Sequence, residues 1–330
     1  MPNRGAATRE FLARLEQIVT RADGRIYPAK DAAMSAAALR QGYPRIDQFI
    51  EHIDPAFSSS MSRRLGLTPS KHLTAAPMTS SQPPRQTVAI FGAGSDIAMA
   101  FARLRAPLGD KFVLVGRNET TLAALAADLT ARGASATAVH HADFERTPDL
   151  PGVARAAWEQ FGGIDVALIA YAIQPDQTAA ELDPAAAERA MMTNFVSPVV
   201  LLGELARRFR MQGSGTIAAI TSVAGDRGRK SNYIYGAAKG GLHRFLEGLR
   251  HGLHVDGVKV VDIRPGFVAT KLTAHLQRKG PLWATPDRVA KDIAKAIASG
   301  RPVLYTPWFW RIIMLIVRRL PRPVFHRTSF

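Results

Sequence analysis

The 330-residue chain contains no cysteine. That excludes disulfides, thiolate metal sites and cysteine nucleophiles, and it is compatible with a reducing compartment. Acidic residues are scarce: 27 Asp and Glu stand against 43 Lys and Arg, a formal charge of +16, and none follows Asp292. Such a surplus favours anionic partners, meaning nucleic acid, phosphorylated ligands or an acidic lipid surface. No run approaches the roughly 18–20 apolar residues of a membrane-spanning helix. The arginines near the N-terminus are not followed by the apolar segment of a signal peptide. Neither G-x-S-x-G nor H-E-x-x-H occurs, so hydrolase chemistry has no support. His140 and His141 lack a partner at ligand spacing, and no metal site is expected. No RNA- or DNA-reading motif appears, and the arginines cluster beside tryptophans, which argues against nucleic acid as the partner.

The apolar fraction of 47% is that of a globular protein. Near the N-terminus, Phe11, Leu12, Leu15, Ile18 and Val19 follow helical spacing, which predicts an amphipathic helix over residues 8–22 ended by Asp23-Gly24. Short helices are expected around Ala33 to Arg40 and Pro44 to Ile53. Residues 68–86 are rich in Pro, Ser and Thr and read as a flexible linker. Residues 1–67 are too few and too poor in apolar side chains for a robust core of their own.

Past the linker the pattern changes. Thr87 to Phe91 is a short apolar strand running into Gly92-Ala93-Gly94-Ser95-Asp96-Ile97, and a helix carrying Ala100, Phe101 and Leu104 follows. Strand, glycine turn and helix is the setting in which backbone N–H groups and a helix N-terminus receive a pyrophosphate. Asp96 and Ala98 stand where many such loops have glycine; Asp96 places a negative charge near a phosphate, although a helix N-terminus favours it. The second strand, Lys111 to Val115, ends in Gly116-Arg117. With no acidic side chain for a ribose 2′-hydroxyl and an arginine suited to a 2′-phosphate, NADP is favoured over NAD. A third strand, Ala138 to Ala142, leads to Asp143 and Phe144, placed to meet the adenine.

The stretch Thr216 to Lys239 carries the chemistry. A buried strand, Thr216 to Thr221, ends in Ser222; a Gly- and Arg-rich loop follows; then comes a helix with Tyr235 and Lys239, one turn apart on one face. Phenol, ammonium and hydroxyl at one point can deliver a proton to a carbonyl oxygen. Upstream, Ile164 to Ala170 is an apolar strand, and Asp183-Pro184 reads as a helix start. Asn194 and Pro198 stand four apart within one helix. Proline lacks the N–H that would bond the Asn194 carbonyl, leaving it to hold a water toward Lys239.

The glycine loop, Asp143, Asn194, Ser222, Tyr235-x-x-x-Lys239 and Arg264 to Thr270 (RPGFVAT), in this order and spacing, resemble the short-chain dehydrogenase/reductase family over residues 87 to about 300. The Asn-Asn-Ala-Gly that family carries after its fourth strand is replaced by Ala170-Tyr171-Ala172-Ile173. The resemblance implies an α/β fold, a Rossmann-type doubly wound parallel sheet, with a small helical N-terminal appendage (1–67), the linker (68–86), the cofactor-binding domain (87–300) and a basic C-terminal helix (301–330). It implies Asn194, Ser222, Tyr235 and Lys239 as the catalytic set. It implies nicotinamide-cofactor contacts from Gly92, Gly94, Ser95, Asp96, Ile97, Arg117, Asp143, Phe144, Ala170, Tyr235, Lys239, Pro265, Gly266 and Val268, and a homo-oligomer. In that chemistry Tyr235 is the general acid, and Lys239 with the oxidised cofactor's positive ring brings the phenol down from its ordinary pKa near 10.

Within the family, Ser222 to Leu242, Ile263 to Leu276 and the C-terminal tail resemble the decaprenylphosphoryl-2-keto-erythropentose reductases. Those enzymes complete the epimerisation of a lipid-linked ribose to arabinose for envelope glycans. Residues 1–67 resemble the C-terminal tail of FAD-linked decaprenylphosphoryl-ribose oxidases, through GRIYPAKD (Gly24 to Asp31), YPRIDQF (Tyr43 to Phe49) and SRRLGL (Ser62 to Leu67). Tyr27 and Lys30 match a Y-x-x-K pattern that lies near the flavin in that family. The rest of such an oxidase is missing, so no FAD is expected; the segment reads as a remnant of, or fusion with, a partner's end, with docking onto an intact oxidase the lesser alternative. The expected reaction is thus NAD(P)H-dependent reduction of a polyprenyl-phosphate-linked 2-keto-pentose. The alternatives are reduction of another lipid or 3-oxoacyl ketone, and a non-catalytic cofactor-binding partner of an FAD oxidase. Finally, Trp308, Phe309 and Trp310, an aliphatic run and Arg318, Arg319, Arg322 and Arg327 suit an interfacial helix on anionic lipid. A protein in the cytoplasm or peripheral on the inner face of the plasma membrane is expected.

Overall fold

The computed structural model describes residues 6–22, 35–46, 48, 85–276 and 280–328. The chain divides into two compact units, Met1–Ser81 and Gln82–Phe330.

In the first unit, helices span Ala6–Arg21 and Ala36–Gly42. Ser35 caps the second by accepting from the N–H of Ala38 at 3.2 Å, while its own hydroxyl donates to Glu16 of the first. Leu39 is buried against Ala38, Tyr43 and Ile46. Gly24 to Asp31, with Tyr27 and Lys30, and Ser62 to Leu67 lie outside the described residues, as does most of the 68–86 stretch.

The second unit is built on parallel strands. They are β1 (Thr87–Phe91), β2 (Lys111–Gly116), β3 (Ala136–His141), β4 (Val166–Ile169), β5 (Thr216–Ile220) and β6 (Lys259–Pro265), a short ladder of β7 (Phe267–Val268) with β8 (Trp283–Ala284), and β9 (Val303–Thr306). Seven of them form one sheet in the order β3-β2-β1-β4-β5-β6-β9, every pair parallel. Successive residues of a strand face opposite sides, so a sheet covered on both faces reads as a continuous apolar run. In β1, Val88 and Ile90 enter one core with Phe101, Leu122 and Ile293; Ala89 and Phe91 enter the other with Leu205, Phe209 and Leu246.

The helices start where the sequence supplies caps. Asn118 accepts from Thr121 N–H at 2.8 Å, Asp183 from Ala185 N–H at 3.0 Å, and Thr285 from Arg288 N–H at 3.3 Å, the last two with proline at the first turn. Between β1 and β4 the strand order reverses direction, which opens a crevice at the carboxyl ends of the strands.

Two departures from expectation stand out. The sheet does not stop at residue 300: Val303–Thr306 is its edge strand, paired with Asp262–Pro265. The next helix, Trp310–Arg319, turns Trp310, Met314 and Val317 inward against Val223. The stretch 301–330, expected as a basic membrane-associating tail, thus supplies an edge strand and a helix that pack within the second unit. Also, the helical run carrying Asn194 and Pro198 is not regular; a π turn over Met192–Val196 separates Pro184–Met191 from Ser197–Gln212, whose first turn contains Pro198.

Candidate active site

A cavity of 540 Å³ lies over the strand ends, lined at one side by Gly92, Gly94, Ser95, Asp96 and Ile97 and at the other by Ser222, Arg229, Asn232, Tyr235 and Lys239. Its size is that of a small-molecule site.

The β1 turn is built for close approach. Gly92 has φ +89°, and a Cβ there would lie 2.6 Å from the N atom of Tyr171. Only glycine meets both demands. Ser95 begins the helix Asp96–Arg105 without a side-chain cap, so first-turn N–H groups remain for an anion. Asp96 is engaged elsewhere: its carboxylate accepts from Lys271 N–H at 2.7 Å, across the crevice. The charge that looked awkward beside a phosphate is spent on closing one loop against another.

At the far rim, Gly116 and Arg117 line the cavity. Arg117 reaches Glu145 at 3.5 Å, but Arg189 holds that carboxylate with two bonds of 3.0 Å each. Phe144 lines the cavity and stacks on Tyr171 with centroids 3.9 Å apart. Asp143, expected beside it as an adenine contact, does not line the cavity; its carboxylate accepts from Glu145 N–H at 3.1 Å and shapes its own turn. Ala170, Pro265, Gly266 and Val268 all line the cavity. A side chain at Gly266 would collide with the Trp310 indole, whose Nε1 lies 1.9 Å from such a Cβ.

A pyrophosphate-accepting helix end, glycines that admit backbone approach, a cationic rim and an aromatic wall fit a dinucleotide.

At the reaction end the helix Tyr233–Leu253 buries Tyr235 and Lys239 on one face, and the short helical turn after β5 brings Ser222 to the phenol, to which it is hydrogen-bonded. Lys239 Nζ lies 5.7 Å from the Tyr235 ring centroid and donates to the Ile220 carbonyl at 3.3 Å. Burial pushes the Tyr235 phenol up to about 12, with the Ser222 hydrogen bond pulling the other way. Burial pushes Lys239 down to about 8, opposed by the charge of Asp262. Among the chain's own groups desolvation outweighs Ser222 at this phenol; the expected lowering calls on the oxidised cofactor's positive ring as well.

Asn194 is fully buried, and its carboxamide brackets Ile173, accepting from Ile173 N–H at 3.1 Å and donating to Ile173 O at 2.8 Å and Ala190 O at 3.0 Å. The Asn194 side chain thus clamps the loop after β4. Tyr171, in the position where the family pattern departs, donates to or accepts from Ser197 Oγ at 2.9 Å. Burial raises its phenol well above the ordinary value.

Reading the sequence missed the support beneath Ser222. Thr221 Oγ1 donates to Asp262 at 2.6 Å and lies 3.0 Å from His243 Nε2; Arg264 bonds Asp262 at 2.7 Å and Asp226 at 2.8 Å; Tyr305 donates to Asp226 at 2.8 Å. An Asp-x-Arg on β6 was the available signal. Arg227 donates to the carbonyls of Val317 and Leu320 and lies 3.7 Å from the Phe325 ring centroid, fastening the loop to the C-terminal helix.

The family model described as short chain dehydrogenase matches residues 86–280. An uncharacterized oxidoreductase of Mycobacterium tuberculosis is 41% identical over 244 residues, 73% of this chain and 96% of that one. The ketoacyl reductase HetN of a Nostoc species is 30% identical over 218 residues, covering 65% of this chain and 76% of that one. Among solved structures, a short-chain dehydrogenase from Sphingobium yanoikuyae in complex with NADPH aligns with a TM-score of 0.63 and 25% identity, over 72% of this chain and 97% of that one.

Proposed function

This chain belongs to the short-chain dehydrogenase family, and from that premise we propose that it uses NADPH to reduce the ketone of a polyprenyl-phosphate-linked 2-keto-pentose. In reaction class it is an NAD(P)-dependent oxidoreductase. The observation that carries the reading is the convergence of buried Tyr235 and Lys239 with Ser222 on the cavity.

When bound, the reduced nicotinamide supplies the hydride to the carbonyl carbon. The chain's own part is to orient the ketone, exclude water and move one proton. Tyr235, with its pKa near 12, is fully protonated at neutral pH and donates to the carbonyl oxygen. Ionising that phenol unaided costs roughly 7 kcal/mol at neutral pH, so the alkoxide's demand for a proton and the Lys239 charge must offset it. Lys239, with its pKa near 8, is mostly cationic at neutral pH and favours the phenolate. The Ser222 hydroxyl stabilises the carbonyl oxygen as its charge grows. Asn194 and Tyr171 act behind these groups by fixing the loop after β4.

Preference for NADPH is supported by Gly116, which offers no carboxylate, and by Arg117, whose longer bond to Glu145 can be exchanged for a phosphate while Arg189 keeps the carboxylate paired. The keto-pentose is supported by the likeness of Ser222 to Leu242 and Ile263 to Leu276 to such reductases, and by the apolar lining from Phe267, Leu272 and Leu276. The likeness of residues 1–67 to oxidase tails supports a place directly after an FAD-linked oxidase that makes the ketone. A 3-oxoacyl substrate is the rival, favoured by the Nostoc ketoacyl reductase. Oxidation of NADPH with a polyprenyl-phosphoryl 2-keto-pentose and with a panel of 3-oxoacyl thioesters separates them. We expect the keto sugar to lead by at least about 100-fold in kcat/KM; a lead for the thioesters, or no oxidation by either, overturns the reading.

We further propose that the protein works on anionic lipid. Among the described residues no helix is long and apolar enough to cross a membrane. The helix Trp310–Arg319 instead leaves Ile312, Leu315 and Ile316 about half exposed, with Trp308 exposed before it and arginines on either side. Changing Ile312, Leu315 and Ile316 to Ser should release most of the protein from vesicles containing phosphatidylglycerol; equal sedimentation of both proteins ends this proposal.

A further inference from the structure

The loop between Ser222 and Tyr235 carries two polar groups that the proton transfer does not use. Arg229 Nε and Asn232 Oδ1 are buried without a hydrogen-bond partner, and both residues line the cavity beside Ser222 and Tyr235. Orphaned polar atoms are rare in folded proteins and costly, a charged one above all. Arg229 has no ion pair among the described residues. Asp226, the carboxylate whose charge acts on it, is already committed: one oxygen accepts from Arg264 at 2.8 Å and the other from Tyr305 at 2.8 Å. Burial pulls the Arg229 guanidinium below its ordinary value, yet the side chain cannot shed its proton near neutrality. The loop thus holds a guanidinium with an unpaired Nε and, three residues on, an unpaired acceptor, both at the cavity.

The loop that carries Arg229 is pinned from below by Asp226 to Arg264 and from the side by Arg227 to the carbonyls of Val317 and Leu320. The cost of leaving these groups unpaired is recovered when a ligand brings an anion and a hydroxyl together.

We infer that Arg229 and Asn232 form a substrate subsite in which the guanidinium receives a phosphate oxygen and the carboxamide oxygen accepts from a neighbouring hydroxyl, so that the ketone reduced at Tyr235 belongs to a polyhydroxylated phosphate ester. This rests on the proposed reduction only for the word ketone; the subsite itself is independent of turnover. Guanidinium can donate two parallel N–H bonds to a phosphate as it does to a carboxylate, and the comparison with acetate separates the two.

The test is calorimetric titration of the full chain saturated with NADP+, so that the cofactor's own phosphates are in place. The probes are methyl phosphate, acetate and ribose 5-phosphate. Wild type should bind methyl phosphate more tightly than acetate, and ribose 5-phosphate more tightly still. R229Q should weaken both phosphates by at least about tenfold, R229K should recover most of that loss, and N232A should remove the advantage of ribose 5-phosphate over methyl phosphate. Melting temperatures and NADP+ affinity of each variant report whether the fold and cofactor site survive. The inference is overturned if wild type binds no phosphate, if R229Q binds it as wild type does, if methyl phosphate and acetate bind alike, or if R229Q loses NADP+ in parallel. It is also overturned if R229Q and R229K both fail to fold, since Arg229 would then be structural. Failure of the keto-pentose assay with these titrations intact would count against the proposed reaction alone.

Discussion

The two ends of the cavity differ in how their polar groups are satisfied. At the cofactor end nearly every charge already has a partner: Asp96 holds Lys271, Glu145 holds Arg189 and Arg117, and Tyr171 meets Ser197. At the substrate end Arg229 Nε and Asn232 Oδ1 stay buried and unmatched. The first end offers mainly backbone groups and a helix terminus, which suit any dinucleotide. The second keeps side-chain groups in reserve, and side chains are what distinguish one ketone from another. Cofactor recognition and substrate selectivity thus lie on opposite sides of the cavity.

The hardest blow to that division falls at the reaction centre. Tyr235→Phe removes only the transferable proton, so kcat should drop by about 10²–10⁴ while NADPH affinity, read by fluorescence titration, stays as it was. A parallel loss of cofactor binding would mean the ends are not separable. A smaller effect is expected at the cofactor rim. Arg117→Ala should raise the KM for NADPH by roughly 10- to 100-fold and leave that for NADH within about threefold, since NADH has no 2′-phosphate. Equal changes for both cofactors would relocate the phosphate contact.

The smallest effect tests the foundation of the substrate end. Burial, with Arg264 next, pushes His243 down to about 3, so the folded protein keeps this imidazole neutral. The unfolded chain binds the proton near its ordinary value of 6.5, and stability is therefore lost as pH falls from about 6.5 toward 3. The slope is about 1.4 kcal/mol per pH unit once the pH is well below the upper value. Unfolding free energies from urea titrations between about pH 5.5 and 4 should approach this slope, and His243→Gln should flatten it; an unchanged slope would place the acid sensitivity elsewhere.

Much of the fold was legible because its signals are local. Thr87 to Phe91, Lys111 to Val115 and Thr216 to Thr221 are apolar runs that end in Gly or Ser, and β1, β2 and β5 occupy nearly those spans. The edge strand was hidden: Val303–Thr306 has four residues between two prolines and precedes a far more conspicuous aromatic run. The site was legible where spacing along one helix sufficed, as for Tyr235 and Lys239. It was not legible where function depends on what a side chain lacks. Arg229 is one of several basic residues in its loop, and only the commitment of Asp226 to Arg264 and Tyr305 shows it unpaired. The sign of the Tyr235 shift was likewise out of reach, because desolvation is a property of the assembled core.

The Arg227 contact has a consequence for grafting between relatives. A loop cut out with its neighbours on either side would leave behind the carbonyls of Val317 and Leu320 and the ring of Phe325, some ninety residues downstream, against which it is moored. Transplanted alone, the segment would arrive without its mooring. Any chimera that exchanges substrate selectivity must carry both pieces of chain as one part.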